Sequence, residues 1–470
     1  MKVEQIYTGC IAHAAYYIES NGVAAVFDPL REIQPYIDLA KIDNAEIKYV
    51  FETHFHADFV SGHLDLRKKA GAEIVFGPGA QPAYEAKIAK DGEIFEIGDY
   101  KIKAIHTPGH TMESTTYLLI DENNNEHGII TGDTLFIGDV GRPDLAQHVV
   151  KDLTEEKLAG HLYDSLRNKI MPLSDNLIVY PNHGAGSACG KMMSKETTDT
   201  LGNQKKTNYA LQEMTKEEFI KTVLTGLTAP PGYFPQNVLM NIKGYESLDT
   251  VMDRASKALS PEEFESIANE TGALMLDTRD ASDFAKGFIP NSINIGLEGN
   301  FAQWVGEMIP DVKQQIILIT DAGKEEEAIT RLSRVGYDYT IGYLKDGFST
   351  WKASGKDFET VERISPKTFE NTLKEEKIIV IDVRKKSEYQ SEHVIDAINV
   401  PLNEINEHLA QFPKDKPFIL HCAGGYRSMI AAAILKQRGW DNFVDVTGGF
   451  KEIAETAVPK SDYVCPTTLL

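Results

Sequence analysis

The stretch ETHFHADFVSGH, residues 52–63, carries the strongest indication of fold in the first part of the chain. It begins at the end of KYVFET, residues 48–53, whose β-branched and aromatic residues predict a strand. His54 and His56 therefore stand two residues apart where that strand ends, and Asp58 follows them. If the next turn bends back, the two imidazoles can converge on one metal ion. Imidazole and carboxylate ligands suit zinc, iron or manganese.

Further ligand candidates occupy the same kind of position later in the chain. They are His110 in TPGHT, Asp133 in TGDTLF and His183 in YPNHG. Each follows a strand-like run and begins a glycine-containing loop, so all of them can lie at one edge of a layered fold. A lone histidine is usually a core or surface residue, but repeated ligand types at strand-to-loop junctions indicate a metal site. Strands interleaved with helices over residues 1–185 predict an α/β fold.

In this order and spacing, THFHAD, TPGHT, GDTLF and PNHG resemble the metallo-β-lactamase superfamily. The resemblance implies an αββα sandwich with the metal at the edge of its two sheets. Dinuclear hydrolases of that family carry T-H-x-H-x-D-H, and here the final histidine is replaced by Phe59, which cannot be a ligand. The loop GDVGRPDLA and the segment EEFIKTVLTGLTAPPGYFP resemble the persulfide dioxygenase branch. That branch implies one Fe(2+) per chain, bound by His54, His110 and Asp133.

The same resemblance suggests roles for neighbouring residues. Arg142 would meet an anionic substrate, and His56, Asp58 and His183 would orient ligands and bound water. Cys189 lies six residues after His183, where it can either relay sulfur near the iron or take no part. A mononuclear zinc site made by His54, His56 and His110 stays open as an alternative.

After residue 260 the chain contains an internal repeat. LMLDTRDASDF matches IVIDVRKKSEY, and the aspartates Asp277 and Asp382 are 105 residues apart. Asp321 in the first copy corresponds to Cys422 in the second, and Gly347 corresponds to Gly449. Three matching blocks in one order at nearly one period predict a duplicated domain with a small parallel α/β sheet.

Cys422 begins CAGGYRS, between an apolar strand-like run and a predicted helix. Backbone N–H groups at a helix start favour the thiolate, and Arg427 adds positive charge. With IDVR and TGGF, this loop resembles a rhodanese domain, which implies that Cys422 accepts a sulfane sulfur. Asp321 cannot do so, and the middle copy is therefore predicted to be inactive.

These observations predict an α/β multidomain chain. A metallo-β-lactamase sandwich with a C-terminal extension would span residues 1–258, an inactive rhodanese-like domain residues 259–358, and a catalytic rhodanese domain residues 359–470. Within the first domain, Thr154 and Thr215 are predicted to cap helices.

The formal net charge is −22, which argues against nucleic acid and against an anionic membrane surface as partners. No apolar run approaches a membrane span, and the N-terminus lacks the pattern of a signal peptide. Four scattered cysteines favour a reducing cytoplasm over a disulfide framework. We also expect a homo-oligomer.

The expected activity is oxidation of a low-molecular-weight thiol persulfide by O2 to sulfite, coupled to transfer of sulfane sulfur from Cys422 to sulfite, giving thiosulfate. One alternative is a zinc thioester hydrolase of the glyoxalase II type with an appended sulfurtransferase. Another treats the rhodanese copies as binding modules, with Cys422 as a redox sensor. The sequence does not specify the thiol.

Overall fold

A computed structural model describes residues 2–145, 153–227 and 229–465. The chain forms two compact units. The first comprises Met1–Val251 with the short segments Pro310–Val312 and Thr330–Tyr337, and the second comprises Met252–Ile309, Lys313–Ile329 and Asp338–Leu470. Within the described ranges, no helix combines the length and apolar character that crossing a membrane requires.

The first unit contains two six-stranded sheets. One has the order β1-β2-β3-β4-β5-β6, with β1 (Val3–Thr8), β2 (His13–Ser20), β3 (Val23–Phe27), β4 (Glu46–Phe51), β5 (Glu73–Phe76) and β6 (Lys87–Ile88). The other has the order β12-β11-β10-β9-β8-β7, with β7 (Ile94–Ile97), β8 (Tyr100–His106), β9 (Thr115–Ile120), β10 (Glu126–Gly132), β11 (Ile178–Pro181) and β12 (Asp199–Thr200).

Helices connect and cover these strands. They are α1 (Gln34–Ile42), α2 (His63–Ala70), α3 (Glu155–Ser165) continued by a π-helical turn (Leu166–Ile170), α4 (Leu201–Thr207), a 3-10 turn (Tyr209–Leu211), α5 (Lys216–Leu224), α6 (Phe234–Lys243) and α7 (Leu248–Ala255). The predicted caps are confirmed: the Thr154 hydroxyl accepts the Lys157 N–H, and Thr215 forms a capping box with Glu218.

Apolar side chains divide this unit into four layers. Between the sheets, Phe27 and Phe51 of the first sheet pack with Tyr117 and Ile130 of the second. On the outer face of the first sheet lie residues of α1, α2 and α6, and on the outer face of the second lie residues of α3 and α5. The layers run helix, sheet, sheet, helix, which confirms the predicted αββα sandwich.

The second half of the chain contains two sheets with the same plan. The first has the order β13-β17-β16-β14-β15, with β13 (Ala258–Leu259), β14 (Leu274–Asp277), β15 (Ile293–Asn294), β16 (Ile316–Ile319) and β17 (Thr340–Leu344). The second has the order β18-β22-β21-β19-β20, with β18 (Arg363–Ile364), β19 (Ile379–Asp382), β20 (Ile398–Asn399), β21 (Phe418–His421) and β22 (Phe443–Val446). All pairings are parallel.

The connecting helices also correspond between the copies. The first copy has α8 (Pro261–Thr271), α9 (Ala281–Lys286), α10 (Phe301–Met308), α11 (Glu325–Arg334) and α12 (Phe348–Ala353). The second has α13 (Pro366–Glu375), α14 (Lys386–Ser391), two 3-10 turns (Leu402–Glu404 and Leu409–Gln411), α15 (Tyr426–Gln437) and α16 (Gly449–Ile453). The predicted duplication of a small parallel α/β domain is confirmed.

Candidate metal centre and sulfur-transfer site

The candidate metal ligands lie where strands end at one edge of the sandwich. His54 follows β4, Asp133 immediately follows β10, and His183 follows β11. His110 follows β8, which runs in the same direction as β10 because both are antiparallel to β9. Strands of one sheet that run in one direction end at the same edge, so His110 and Asp133 meet there, and His54 reaches them from the end of β4 in the other sheet.

His54, His110 and Asp133 form a compact, buried cluster. The Asp133 Oδ2 atom lies 3.5 Å from His110 Nε2 and 4.0 Å from His54 Nε2. Both Asp133 carboxylate oxygens are buried and have no hydrogen-bond partner among the described residues. Such an unsatisfied buried carboxylate is costly, and a cation bound between it and the two imidazoles would satisfy it. The cluster therefore fits a metal ion.

Hydrogen bonds fix the orientation of both imidazoles. The His110 Nδ1–H donates to the carbonyl oxygen of Arg142 over 2.8 Å. The Nδ1 atom of His54 lies 3.0 Å from the Thr53 hydroxyl. With Nδ1 occupied, Nε2 of each ring is left to face Asp133, which is the arrangement usual for metal-binding histidines.

His56 lies beside this cluster but is bonded elsewhere. Its Nε2 atom lies 2.9 Å from Asp28 Oδ1 and 3.4 Å from Glu52 Oε2. Burial alone would lower the pKa of His56, but the two carboxylates raise it well above its ordinary value. Burial alone would raise the pKa of Glu52, yet the imidazoles of His63 and His56 lower it to about 2. His56 therefore belongs to a buried ion-pair network.

Sequence reasoning missed Asp28 and Glu52. Both could have been found as carboxylates directly after the strand-like runs VAAVF and KYVF. Phe59 adds to the same arrangement, because its ring stacks on that of His56 with centroids 4.3 Å apart.

A second cluster of side chains that could bind a metal lies next to the first. His183 Nε2 lies 3.4 Å from Asp58 Oδ2 and 3.6 Å from Asp133 Oδ1, and Cys189 lies within reach of both Asp58 and His183. Burial, with Asp58 and Asp133 nearby, raises the pKa of the Cys189 thiol well above its ordinary value. The structure thus brings His183, Asp58 and Cys189 next to the candidate metal ligands.

Arg142 lies near the cluster, but its guanidinium is bonded within the protein. Its Nε and Nη2 atoms donate to the two oxygens of Asp144 over 2.7 and 2.6 Å, and Nη1 donates to the Ala188 carbonyl oxygen. The side chain is 4% exposed. Recognition of an anionic substrate by Arg142 stays a prediction, and it would require Arg142 to act while paired with Asp144.

A cavity of about 390 Å³ opens beside His110. Most of its lining is apolar and includes Phe55, Met112, and Val238 and Ile242 of α6. A concave, largely apolar site of this size next to candidate metal ligands is typical of a small-molecule site.

Cys422 lies at the end of β21, in the loop that leads into α15. Its Sγ atom accepts a hydrogen bond from the Gly425 N–H over 3.1 Å. Gly449 packs against this loop. Its φ is +57°, and a Cβ added at this residue would lie 2.5 Å from the Cys422 carbonyl oxygen. Only glycine fits this contact without displacing the loop.

Arg427 lies in the pocket of Cys422, where it is paired. Its guanidinium donates two hydrogen bonds to Glu388, of 2.6 and 2.8 Å. Although burial alone would lower it, the pKa of Arg427 is raised by this carboxylate and, to a smaller degree, by Cys422. Glu388 was not anticipated from the sequence. In the middle copy the position of Cys422 is held by Asp321, which is exposed.

A metal-binding cluster at the edge of an αββα sandwich, followed by two small parallel α/β domains, defines the class: a metal-dependent enzyme with a tandem C-terminal extension. The family model of the metallo-beta-lactamase superfamily matches residues 8–183, and the model of the rhodanese-like domain matches residues 260–354 and 365–456. A crystal structure of a metallo-beta-lactamase from Staphylococcus aureus is 31% identical, with a TM-score of 0.66, over 73% of this chain and 99% of that one. The chain belongs to the metallo-β-lactamase superfamily and carries two rhodanese-like domains.

Two curated relatives are named as hydroxyacylglutathione hydrolases. The probable enzyme of Schizosaccharomyces pombe is 30% identical over 40% of this chain and 71% of its own length. That of Dictyostelium discoideum is 33% identical over 35% of this chain and 59% of its own length. Because these matches leave most of this chain uncovered, the activity in their names describes those relatives.

Proposed function

We propose that the chain is a non-haem Fe(II) persulfide dioxygenase coupled to a rhodanese sulfurtransferase, which removes sulfide-derived persulfides. The first reaction is R–SSH + O2 + H2O → R–SH + sulfite + 2 H⁺, where R–SH is a low-molecular-weight thiol and R is its organic group. The second transfers the sulfane sulfur of another R–SSH to sulfite, giving R–SH and thiosulfate.

The observation that supports the dioxygenase reaction is the set of candidate metal ligands. Since Asp28 and Glu52 hold His56, the groups that converge on one point are the imidazoles of His54 and His110 and the carboxylate of Asp133. His183 Nε2 lies 3.6 Å from the other oxygen of Asp133 and belongs to the neighbouring cluster. His54, His110 and Asp133 would hold Fe(II), which would supply the activation of O2 for reaction with the persulfide sulfur. This ligand set supports iron over a zinc site that includes His56.

The chain's own residues support the same reaction. The hydrogen bond from His110 to the Arg142 carbonyl holds the ring in one tautomer, and burial of the cluster keeps bulk water away from it. The apolar cavity beside His110 provides room for the carrier thiol.

Cys422 supports the second half. Its thiolate would attack the outer sulfur of R–SSH, so that a new S–S bond forms while the donor's S–S bond breaks and its electron pair leaves on R–S⁻. Sulfite then attacks the outer sulfur on Cys422, which regenerates the thiolate and releases thiosulfate. The Gly425 N–H stabilises negative charge on Sγ in both steps.

The test is to purify the protein without oxygen, measure iron and zinc, and follow O2 uptake with several thiol persulfides. Replacing His110 by alanine should remove most of the bound iron and all persulfide-dependent O2 uptake. His161→Ala, at an exposed histidine, is the matched control and should keep both. An iron-free, zinc-loaded preparation with full activity would rule the dioxygenase out.

A hydrolase of the glyoxalase II type is the second candidate, favoured by relatives named as hydroxyacylglutathione hydrolases, such as those of Schizosaccharomyces pombe and Dictyostelium discoideum. The cluster of Asp58, His183 and Cys189 next to the first ligands would be consistent with a second metal ion in such an enzyme. Zinc content near two per chain, with hydrolysis of S-lactoylglutathione and no O2 uptake, would favour this reading.

A further inference from the structure

The pocket of Cys422 is built by both rhodanese-like copies, which belong to the same compact unit. The catalytic copy contributes Lys385, Glu388 and the loop from Cys422 to Arg427. The middle copy contributes the segment from Glu298 to Trp304, which enters α10. The two sides are in close contact, because the Tyr426 hydroxyl donates a hydrogen bond of 2.7 Å to the Gly296 carbonyl oxygen.

The size of this pocket exceeds what an inorganic sulfur donor needs. Its volume is about 590 Å³, within the range of cavities that hold drug-sized organic ligands. Thiosulfate and sulfite consist of four or five heavy atoms and would leave most of that space unfilled. The unfilled part is bordered by the middle copy.

The charges around the pocket also disfavour a small dianion as the donor. Arg427 is paired with Glu388 through two hydrogen bonds, and the lining as a whole holds two cations, Arg427 and Lys385, and two carboxylates, Glu388 and Glu298, so its formal charge is zero. A site built to concentrate thiosulfate would instead carry a net positive charge.

We propose that Glu298–Trp304 of the middle copy is the wall that binds the organic part of the persulfide donor to Cys422. This inference rests on the proposed sulfur transfer from R–SSH to Cys422 and adds the surface to which the organic part of that donor binds. Trp304 offers an apolar ring surface and Gln303 an amide that both donates and accepts hydrogen bonds. The middle copy has lost the nucleophile and contributes donor binding.

The test compares two sulfur donors in the full-length protein, glutathione persulfide and thiosulfate, with cyanide as acceptor and thiocyanate as the readout. Trp304→Ala should raise KM for glutathione persulfide about ten-fold and leave kcat and the KM for thiosulfate within about two-fold. Gln303→Ala, at a half-buried side chain, should raise the same KM about three-fold and covers the case in which Trp304→Ala does not fold.

Gln314→Ala is the matched control, since Gln314 is also a half-buried glutamine of the middle copy and bonds to backbone oxygens of Gly272 and Gln315. It should change neither KM. If the Trp304 and Gln303 variants change KM for glutathione persulfide and KM for thiosulfate equally, or change neither, the segment Glu298–Trp304 does not bind the organic part of the donor. If Cys422→Ser keeps forming thiocyanate, sulfur transfer at Cys422 itself is wrong, which is a separate outcome.

Discussion

Replacing Cys422 by serine tests whether the two reactions are coupled in one chain. Cys422 is 1% exposed, and its Sγ atom contacts the Gly425 N–H at 3.1 Å. A serine hydroxyl occupies nearly the same volume and can accept the same hydrogen bond, but its buried O–H also needs an acceptor, so the loss of stability should be about 1–3 kcal/mol. The hydroxyl is too weakly acidic to accept sulfane sulfur at neutral pH.

The expected change is therefore in the products. By the two proposed reactions, each O2 consumed by the native protein would yield one sulfite, and transfer from a second persulfide would convert that sulfite into one thiosulfate. In Cys422→Ser, iron content and O2 uptake should be retained, but the ratio of thiosulfate to O2 should fall from about one towards zero while sulfite accumulates. These quantities follow from the two proposed reactions and from the position of Cys422 outside the metal centre.

The assay combines an oxygen electrode with chromatography of derivatised thiols and sulfur anions, using glutathione persulfide as substrate. Cys465→Ser, which changes an exposed cysteine near the C-terminus, is the control and should keep the native ratio. Unchanged thiosulfate output from Cys422→Ser would refute the coupling. Cys189, buried beside Asp58 and His183, would then be the next residue to replace.

Three further predictions concern the rhodanese-like copies. Asp321→Ala should leave sulfur transfer nearly unchanged, as measured by thiocyanate formation; a large loss in a folded variant would mean that this position takes part in the chemistry. Gly449→Ala should lower sulfur transfer at least ten-fold and spare O2 uptake, because the added Cβ would displace the Cys422 loop. Burial raises the pKa of Asp445 from 3.8 to about 6, so its contribution to stability is present below pH 4 and lost as pH rises through 6. As pH rises from 4 to 7, the free energy of unfolding of Asp445→Asn, measured by urea denaturation, should rise by about 2.4 kcal/mol relative to that of the native protein, and parallel curves would contradict this.

The layered fold and the edge position of the metal cluster were predictable, because strand runs and the residues that follow them can be read locally. His54, His110 and Asp133 each follow the end of a strand, and the two-sheet topology brings these strand ends together. The partner of His56 was not predictable in the same way. Which carboxylate it meets depends on the ends of β3 and β4 lying side by side, a long-range contact.

The Cys422 pocket shows the same limit. Its loop and glycines are local features and were identified, but Glu388 reaches Arg427 from α14, and the wall at Trp304 comes from the other copy. Neither contact has a signature within its own stretch of sequence. Residue types at strand ends thus predict which chemistry is present, while burial and pairing decide which side chains remain available for it.

The two copies diverge in a way that separates framework from chemistry. Asp277 binds Arg279 through two oxygens in the middle copy, as Asp382 binds Arg384 in the catalytic copy. In each copy an asparagine, Asn294 or Asn399, donates to the backbone oxygens of that same pair.

These buried networks fix the turn after β14 in the middle copy and the turn after β19 in the catalytic copy. The middle copy therefore keeps this part of the framework, although Asp321 stands where the catalytic copy has Cys422. A copy that keeps its framework and lacks its nucleophile can still present a defined surface. The segment at Trp304 is such a surface, it begins shortly after Asn294, and it faces the cysteine that the other copy retains. The proposed binding of the donor at Cys422 therefore requires an intact framework in the middle copy.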